Sequence, residues 1–191
     1  MNIRFVTAFI KRQQGQIQEG GWPELSRKLN IVFPAIVRLP LSLFEFPLAL
    51  LIVFVIRIIR PFCVVRFEGF ISWRLGHFAA NTELYICERT AGINVPRGAF
   101  VDIWYHPTTV YNKQLSRMWG RILNIGPRHL LGLVARLNSL LPGGDGHQIG
   151  TNTQTDRDVH NLLDRFPPHL RFLPEEEKQG ETGLRALGIP V

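Results

Sequence analysis

The sequence predicts an α/β fold, in which strands alternate with helices. Two segments rich in β-branched and aromatic residues, 62–67 and 99–105, are typical of strands. Each is followed by a helical pattern of apolar residues, at 75–89 and at about 112–124. Strand–helix units of this kind place ligands at the carboxyl ends of their strands, so the loops after the two strands are the first places to expect a site.

The C-terminal third of the chain predicts further helices joined by a loop. Helices are expected at about 129–141 and 156–166, and the glycine-rich and threonine-rich stretch 143–156 between them is expected to be a mobile loop. Pro174 is followed by three glutamates, which is typical of a helix start, because carboxylates favour the positive end of the helix dipole. That last helix is expected to end at Gly188.

The first 61 residues differ in character from the rest and predict a membrane-associating segment ahead of an α/β domain at 62–191. Residues 1–12 predict a short amphipathic helix that could lie in an interface, and Phe46 to Ile56 is an apolar run of eleven residues. The net charge is +7, and residues 1–74 hold ten lysines and arginines against four acidic residues. Basic residues beside an apolar run suit an anionic membrane surface and argue against a nucleic-acid partner.

The apolar stretch 31–59 has a length that is borderline for crossing a bilayer. Pro34, Pro40 and Pro47 interrupt it, and arginines flank it on both sides. This pattern favours a bent or re-entrant helix pair, hinged between Pro40 and Pro47, with both ends on the cytoplasmic face of the inner membrane. An apolar hairpin packed on another domain is the alternative.

Three motifs carry a family resemblance. They are RLGHFA with NTELY at 74–85, NKQL with Met118, Trp119 and Arg121 at 112–121, and PHL through EEE to LGIP at 168–190. In this order they resemble a group of bacterial glycosyltransferases encoded among surface-polysaccharide genes, from about residue 35 to the end. The resemblance implies a Rossmann-like N-terminal half of a two-domain, GT-B-like enzyme.

The same resemblance implies transfer of a sugar from a nucleotide donor to a surface glycan or a lipid-linked acceptor, without an essential metal or other cofactor. This half would hold the acceptor, and a missing second half would hold the donor. We therefore expect residues 1–191 alone to self-associate, and to show neither sugar transfer nor tight nucleotide-sugar binding. A non-catalytic membrane-associated interaction module, or a truncated gene product, is the alternative.

The candidate catalytic residue is His77, in the first turn of the helix that follows the first strand. A neutral imidazole there can accept a proton from a sugar hydroxyl, although His77 could instead cap its own helix. Arg74 could bind a phosphate, with a surface or lipid-headgroup contact as the alternative. Gly76 could allow a sharp turn or the close approach of a ligand, and Asn81 shares the polar stripe of His77.

The remaining substrate-binding candidates are His106, which ends the second strand, and Asn112 and Lys113, which open the second motif. His106 has a structural turn as its alternative, and Lys113 lies on a basic stripe that is more often only solvated.

Other polar groups predict structural roles. The histidines show no metal-ligand spacing, and four of them are expected to be solvated: His129, His147, His160 and His169. Glu83 is expected to support the structure, and the two cysteines, Cys63 and Cys87, are expected to be buried free thiols.

Overall fold

The computed structural model describes residues 16, 20–23, 26–27, 43–150 and 157–190. The chain divides into two compact units, residues 1–47 and 48–191. The described residues of the first unit are helical. The expected helix at 1–12 and the apolar residues 31–42 lie outside the described part.

A three-stranded parallel sheet forms the centre of the second unit, in the order β1–β2–β3. Its strands are β1 (Cys63–Gly69), β2 (Ala99–Tyr105) and β3 (Asn124–Ile125). The pairing of β1 with β2 runs from Cys63 opposite Ala99 to Gly69 opposite Tyr105. The predicted α/β fold is confirmed.

Six helices accompany the sheet within residues 43–150 and 157–190. They are α1 (43–59), α2 (Leu75–Thr90), α3 (Lys113–Gly120), α4 (Arg128–Ser139), α5 (Leu162–Arg165) and α6 (Pro174–Ala186). No helix in this part of the chain has the length and hydrophobicity needed to cross a membrane. α1 continues without a break through Pro47. The hinge expected between Pro40 and Pro47 therefore does not lie at Pro47.

Two apolar cores lie on opposite faces of the sheet, because successive side chains of a strand point to opposite sides. On one face, Trp104 of β2 packs with side chains of α2 and α3, including Phe78 and the fully buried Trp119. On the other face, Val65 and Phe67 of β1 pack with α1 and α4. The second unit is therefore a helix–sheet–helix sandwich.

Helix α1 contributes one stripe of its surface to the second core. Ala49, Val53 and Ile56 are buried against β1 and α4, as the spacing of three and four residues requires. At its C-terminal end, Arg57 donates hydrogen bonds to Asn138 Oδ1 and to the Pro142 carbonyl, both at 2.6 Å. Arg57, one of the arginines at the end of the apolar stretch, therefore binds the protein.

The region between α4 and α6 differs most from the prediction. The expected helix 156–166 is reduced to the single turn of α5, because Asn161 adopts a left-handed backbone with φ 52°. The first half of the expected mobile loop contains a short 3₁₀ helix, Gly144–His147, and it is held against β1 by a bridge between Gln148 and Phe67. Residues 151–156 lie outside the described part.

Candidate functional site

A cavity of about 490 Å³ opens at the carboxyl ends of β1 and β2. Its walls are the end of β1, the end of β2 with Pro107, the side of α4 that carries Arg128, Gly132 and Arg136, and the segment 144–148. The carboxyl edge of a parallel sheet is where α/β proteins bind ligands, and the volume suits a small molecule. The polar side chains that line it include Glu68, Tyr105, Arg128, His129, Arg136 and His147.

Tyr105, the last residue of β2, lies in a slot between two glycines. A Cβ atom on Gly69 would lie 3.4 Å from Cζ of its ring, and one on Gly132 would lie 3.5 Å from Cε2. Burial raises the pKa of the Tyr105 hydroxyl, the charge of Glu68 raises it further, and Arg136 opposes both. At neutral pH the cavity therefore presents a protonated phenol that can donate a hydrogen bond.

The α4 side of the cavity is electropositive. α4 begins at this edge of the sheet, has no acidic residue in its first turn and receives no side-chain cap. Arg128 and His129 stand in that first turn, and Arg136 follows on the same lining surface. Free backbone N–H groups and the positive end of the helix dipole favour an anion here. Glu68 is the one carboxylate among the described lining residues.

His147 closes the inner end of the cavity and is buried, with 1% of its surface exposed. Its Nδ1–H donates to the Val65 carbonyl oxygen at 2.7 Å, which leaves Nε2 as an acceptor. Burial lowers the pKa of His147, and the charges of Arg57 and Arg60 lower it further. The hydrogen bond to Val65 raises the pKa, but less than these effects lower it. The expectation of a solvated His147 is wrong.

His77 and Asn81, predicted to share a stripe, do lie together, but around a separate small void of about 10 Å³ on the α2 face. That volume is close to the lower limit for one water molecule. Asn81 is buried, and its amide has no hydrogen-bond partner among the described residues. Glu68 and Gly69 border both this void and the large cavity, so they are the link between the two.

Arg74 and Gly76 lie at the exposed start of α2. Nη1 of Arg74 is 3.4 Å from Nε2 of His77, and the guanidinium is the donor. Gly76 is helical, and a Cβ atom there would meet no other atom within 4 Å. The expected sharp turn at Gly76 is therefore wrong, and an alanine would fit.

The remaining candidates, His106, Asn112 and Lys113, do not line the cavity. The ring of His106 stacks on Phe70 with the centroids 4.8 Å apart, and its Nε2 is 3.0 Å from Ser116 Oγ. The side chain of Asn112 caps α3 by accepting from the Leu115 N–H at 2.9 Å. His106 and Asn112 therefore have structural partners outside the cavity, and Lys113 is exposed to solvent.

His169, also expected to be solvated, is only partly exposed. Its main-chain N–H and its Nδ1 both lie 2.8 Å from Oε1 of Glu83. The structural role expected for Glu83 is confirmed, and the expectation for His169 is wrong.

The sequence contained a signal for some of the cavity residues that were missed. Glu68 comes one residue after the predicted end of the first strand, and Tyr105 ends the second strand. Arg128 and His129 begin a helix that follows β3, so recognition of that short strand would have assigned them to the same edge. No local pattern identified Arg136 or His147.

Comparison of the chain with protein-family models, with curated proteins and with solved structures gives no match.

Proposed function

We propose that this chain is the acceptor-binding part of a glycosyltransferase at the cytoplasmic face of the inner membrane. The observation that carries the proposal is the cavity, which combines an electropositive helix start with one carboxylate and one phenol. A glycan or lipid-linked acceptor with a phosphate group has matching chemistry. The proposal includes the finer fold, a Rossmann-like half of a GT-B-like enzyme, and a nucleotide-sugar donor held by a second half.

In this proposal the phosphate of the acceptor binds at the start of α4. Arg128 and Arg136 supply positive charge, and the first-turn N–H groups supply hydrogen-bond donors. The sugar hydroxyl that attacks the donor then points toward the strand ends, where Tyr105 positions it and Glu68 accepts its proton. His77 would serve as the base only if the wall formed by Glu68 and Gly69 opened, because the void beside it has room for about one water molecule.

The outer surface of α1 supports the membrane part of the proposal. Opposite its buried stripe, α1 exposes large apolar side chains at Leu48, Leu51, Phe54, Val55 and Ile58, and Phe62 follows with 82% exposure. An apolar helix face of this kind can lie in the headgroup region without crossing the bilayer. This surface equally favours the second candidate function, a non-catalytic membrane-associated module.

Binding of a lipid phosphate separates the two candidates. Dodecyl phosphate and the uncharged dodecyl maltoside, both below their micellar concentrations, are titrated into the purified chain by calorimetry. We expect the phosphate to bind at least ten-fold more tightly than the maltoside. Replacement of both Arg128 and Arg136 by alanine should remove that preference. Arg117→Ala, on the exposed side of α3, is the matched control and should retain it.

Equal binding of both amphiphiles, or a preference that survives the double substitution, would favour the non-catalytic module. A panel of nucleotide sugars tests the remaining part of the proposal. We expect no binding by residues 1–191, and micromolar binding of any of them would contradict the assignment of the donor to a second half.

A further inference from the structure

A second cluster of reactive side chains lies away from the cavity, where α2 meets the loop before α6. Glu83 and Cys87 stand one helical turn apart on α2, and His169 comes from the loop. One potential ligand atom from each of the three lies within 4.8 Å of the other two. Side chains four residues apart lie on the same face of a helix, so α2 alone brings Glu83 and Cys87 together. Only His169 has to be brought to the cluster by the tertiary fold.

The three groups are held in place before any ligand binds. Oε1 of Glu83 accepts from the main-chain N–H of His169 at 2.8 Å, which fixes the loop, and the imidazole Nδ1 lies at the same distance from that oxygen. Cys87 is 1% exposed and packs with Leu84 and Leu162. The side chains of Glu83 and His169 are 15% and 25% exposed, so the outer side of the cluster is accessible to a small ion.

The local charge favours a cation. The carboxylates of Glu83, Asp158 and Glu88 place negative charge around the Cys87 thiol. The same negative surroundings that oppose a thiolate attract a divalent ion, and an ion at this position reverses the balance by stabilising the thiolate.

We propose that Glu83, Cys87 and His169 form a binding site for a divalent metal ion of the zinc class. One sulfur, one imidazole nitrogen and one carboxylate oxygen suit Zn²⁺ and Co²⁺, whereas Mg²⁺ and Ca²⁺ prefer oxygen ligands. Three protein ligands leave a fourth tetrahedral position for water. The bound metal would fasten the loop that carries α6 onto α2.

The geometry needs only side-chain adjustments. Metal–ligand distances of about 2.1 Å give tetrahedral ligand separations of about 3.4 Å. The Glu83–His169 contact, now 2.8 Å, therefore opens by about 0.6 Å, and the sulfur moves inward. On binding, the thiol of Cys87 gives its proton to the buffer, and if the metal binds Nδ1 of His169, the neutral imidazole carries its proton on Nε2.

Cobalt spectroscopy tests the site directly, because a Co²⁺–thiolate bond produces a charge-transfer band in the near ultraviolet. The reduced, chelator-treated full chain is titrated with Co²⁺, and Zn²⁺ is then added to displace it. We expect one Co²⁺ per chain, a thiolate band, and loss of that band when Zn²⁺ is added. Proton release, measured by calorimetry in two buffers of different ionisation enthalpy, should accompany binding.

The two cysteines provide a matched control. Cys63→Ser, in β1, should keep the thiolate band, and Cys87→Ser should abolish it. His169→Gln, at a partly exposed position that leaves the core intact, should weaken Zn²⁺ affinity by at least ten-fold even if Cys87→Ser fails to fold. Absence of a thiolate band in the native chain, an unchanged affinity of His169→Gln, or loss of the band in Cys63→Ser would overturn the proposal.

Discussion

The buried ion pair between β1 and β2 gives the sharpest prediction about stability. Arg66 binds Asp102 through two parallel hydrogen bonds, Nε to Oδ1 and Nη2 to Oδ2, both at 2.6 Å. The side chains are 5% and 1% exposed, and the hydroxyl of Tyr85 donates to Oδ2 of Asp102. Arg66 also donates to the Asn94 carbonyl. The perturbation is Asp102→Asn, which keeps the shape of the side chain and removes its charge.

This substitution leaves the Arg66 guanidinium buried without a counter-charge. Loss of one partner of a buried pair costs about 3–5 kcal/mol, a large part of the roughly 5–15 kcal/mol that stabilises a domain. With a urea m-value of about 2 kcal/mol per molar, the unfolding midpoint should fall by about 2 M. Urea titration followed by far-ultraviolet circular dichroism measures this shift.

Two further variants identify the cause. Tyr85→Phe removes one hydrogen bond and no charge, so it should cost only about 1.5 kcal/mol. The double substitution Arg66→Met with Asp102→Leu, made on the Tyr85→Phe background so that no buried hydroxyl loses its acceptor, removes both charges and should recover most of the loss. The reasoning would be refuted if Asp102→Asn lost less than about 1 kcal/mol, or if the double variant were less stable than Asp102→Asn.

Three other predictions concern single residues. The pKa of His147 in the folded chain lies below its ordinary 6.5. Its contribution to stability is therefore complete above that pH and is lost as the pH falls below it. His147→Gln should flatten the dependence of the unfolding free energy on pH between about 7.5 and about 5. The carboxyl of Glu176 has its pKa lowered to about 2, first by the hydrogen bond from Arg121, so carbon-13 NMR titration should find this pKa raised in Arg121→Ala. In urea titrations, Gly76→Ala should stabilise the chain by up to about 1 kcal/mol. Gly144→Ala should destabilise it by about 1–3 kcal/mol, because a Cβ atom at position 144 would lie 2.5 Å from the Asn138 carbonyl oxygen.

Each of these three has an outcome that contradicts it. An unchanged pH dependence in His147→Gln would mean that this imidazole titrates normally in the folded chain. A Glu176 pKa that does not move in Arg121→Ala would mean that the contact between α3 and α6 does not form in solution. Equal changes in the unfolding free energy of Gly76→Ala and Gly144→Ala would contradict the open surroundings of Gly76 and the close packing at Gly144.

The elements that the sequence predicted well are those with a strong local pattern. β2 spans the predicted 99–105, and α2 ends one residue beyond its predicted end. The predicted helix 112–124 ends early because its last part joins the sheet. There, β3 pairs with β2, and the side chain of Asn124 donates to the Asp102 carbonyl at 3.2 Å. A strand of two residues has too little pattern to be recognised without its partner.

The candidate residues named from the sequence lie near the same edge of the sheet as the cavity, but mostly on the other face of the sheet. Ligands bind at the carboxyl ends of parallel strands, but this tendency does not say on which face of the sheet the site lies. The polar stripe that contains His77 favoured the face covered by α2. The cavity instead depends on α4 and on the segment around His147, which meet β1 through contacts distant in sequence, such as the bond to the Val65 carbonyl. The glycines around His147 indicated a solvated loop, because no local signal records a bond to a strand 82 positions away.

If the proposed membrane association holds, the two-sided packing of α1 would make a bilayer both a partner of the folded chain and a competitor for its core. Ala49, Val53 and Ile56 lie inside the protein, while Leu51 and Phe54 lie outside it. A lipid surface that took up only the outer stripe would bind the native chain and stabilise it by mass action. A surface that took up the whole helix would solvate the inner stripe as well, and so would favour the unfolded chain. The composition and packing of the lipids would then determine the fraction of molecules that retain the helix–sheet–helix sandwich.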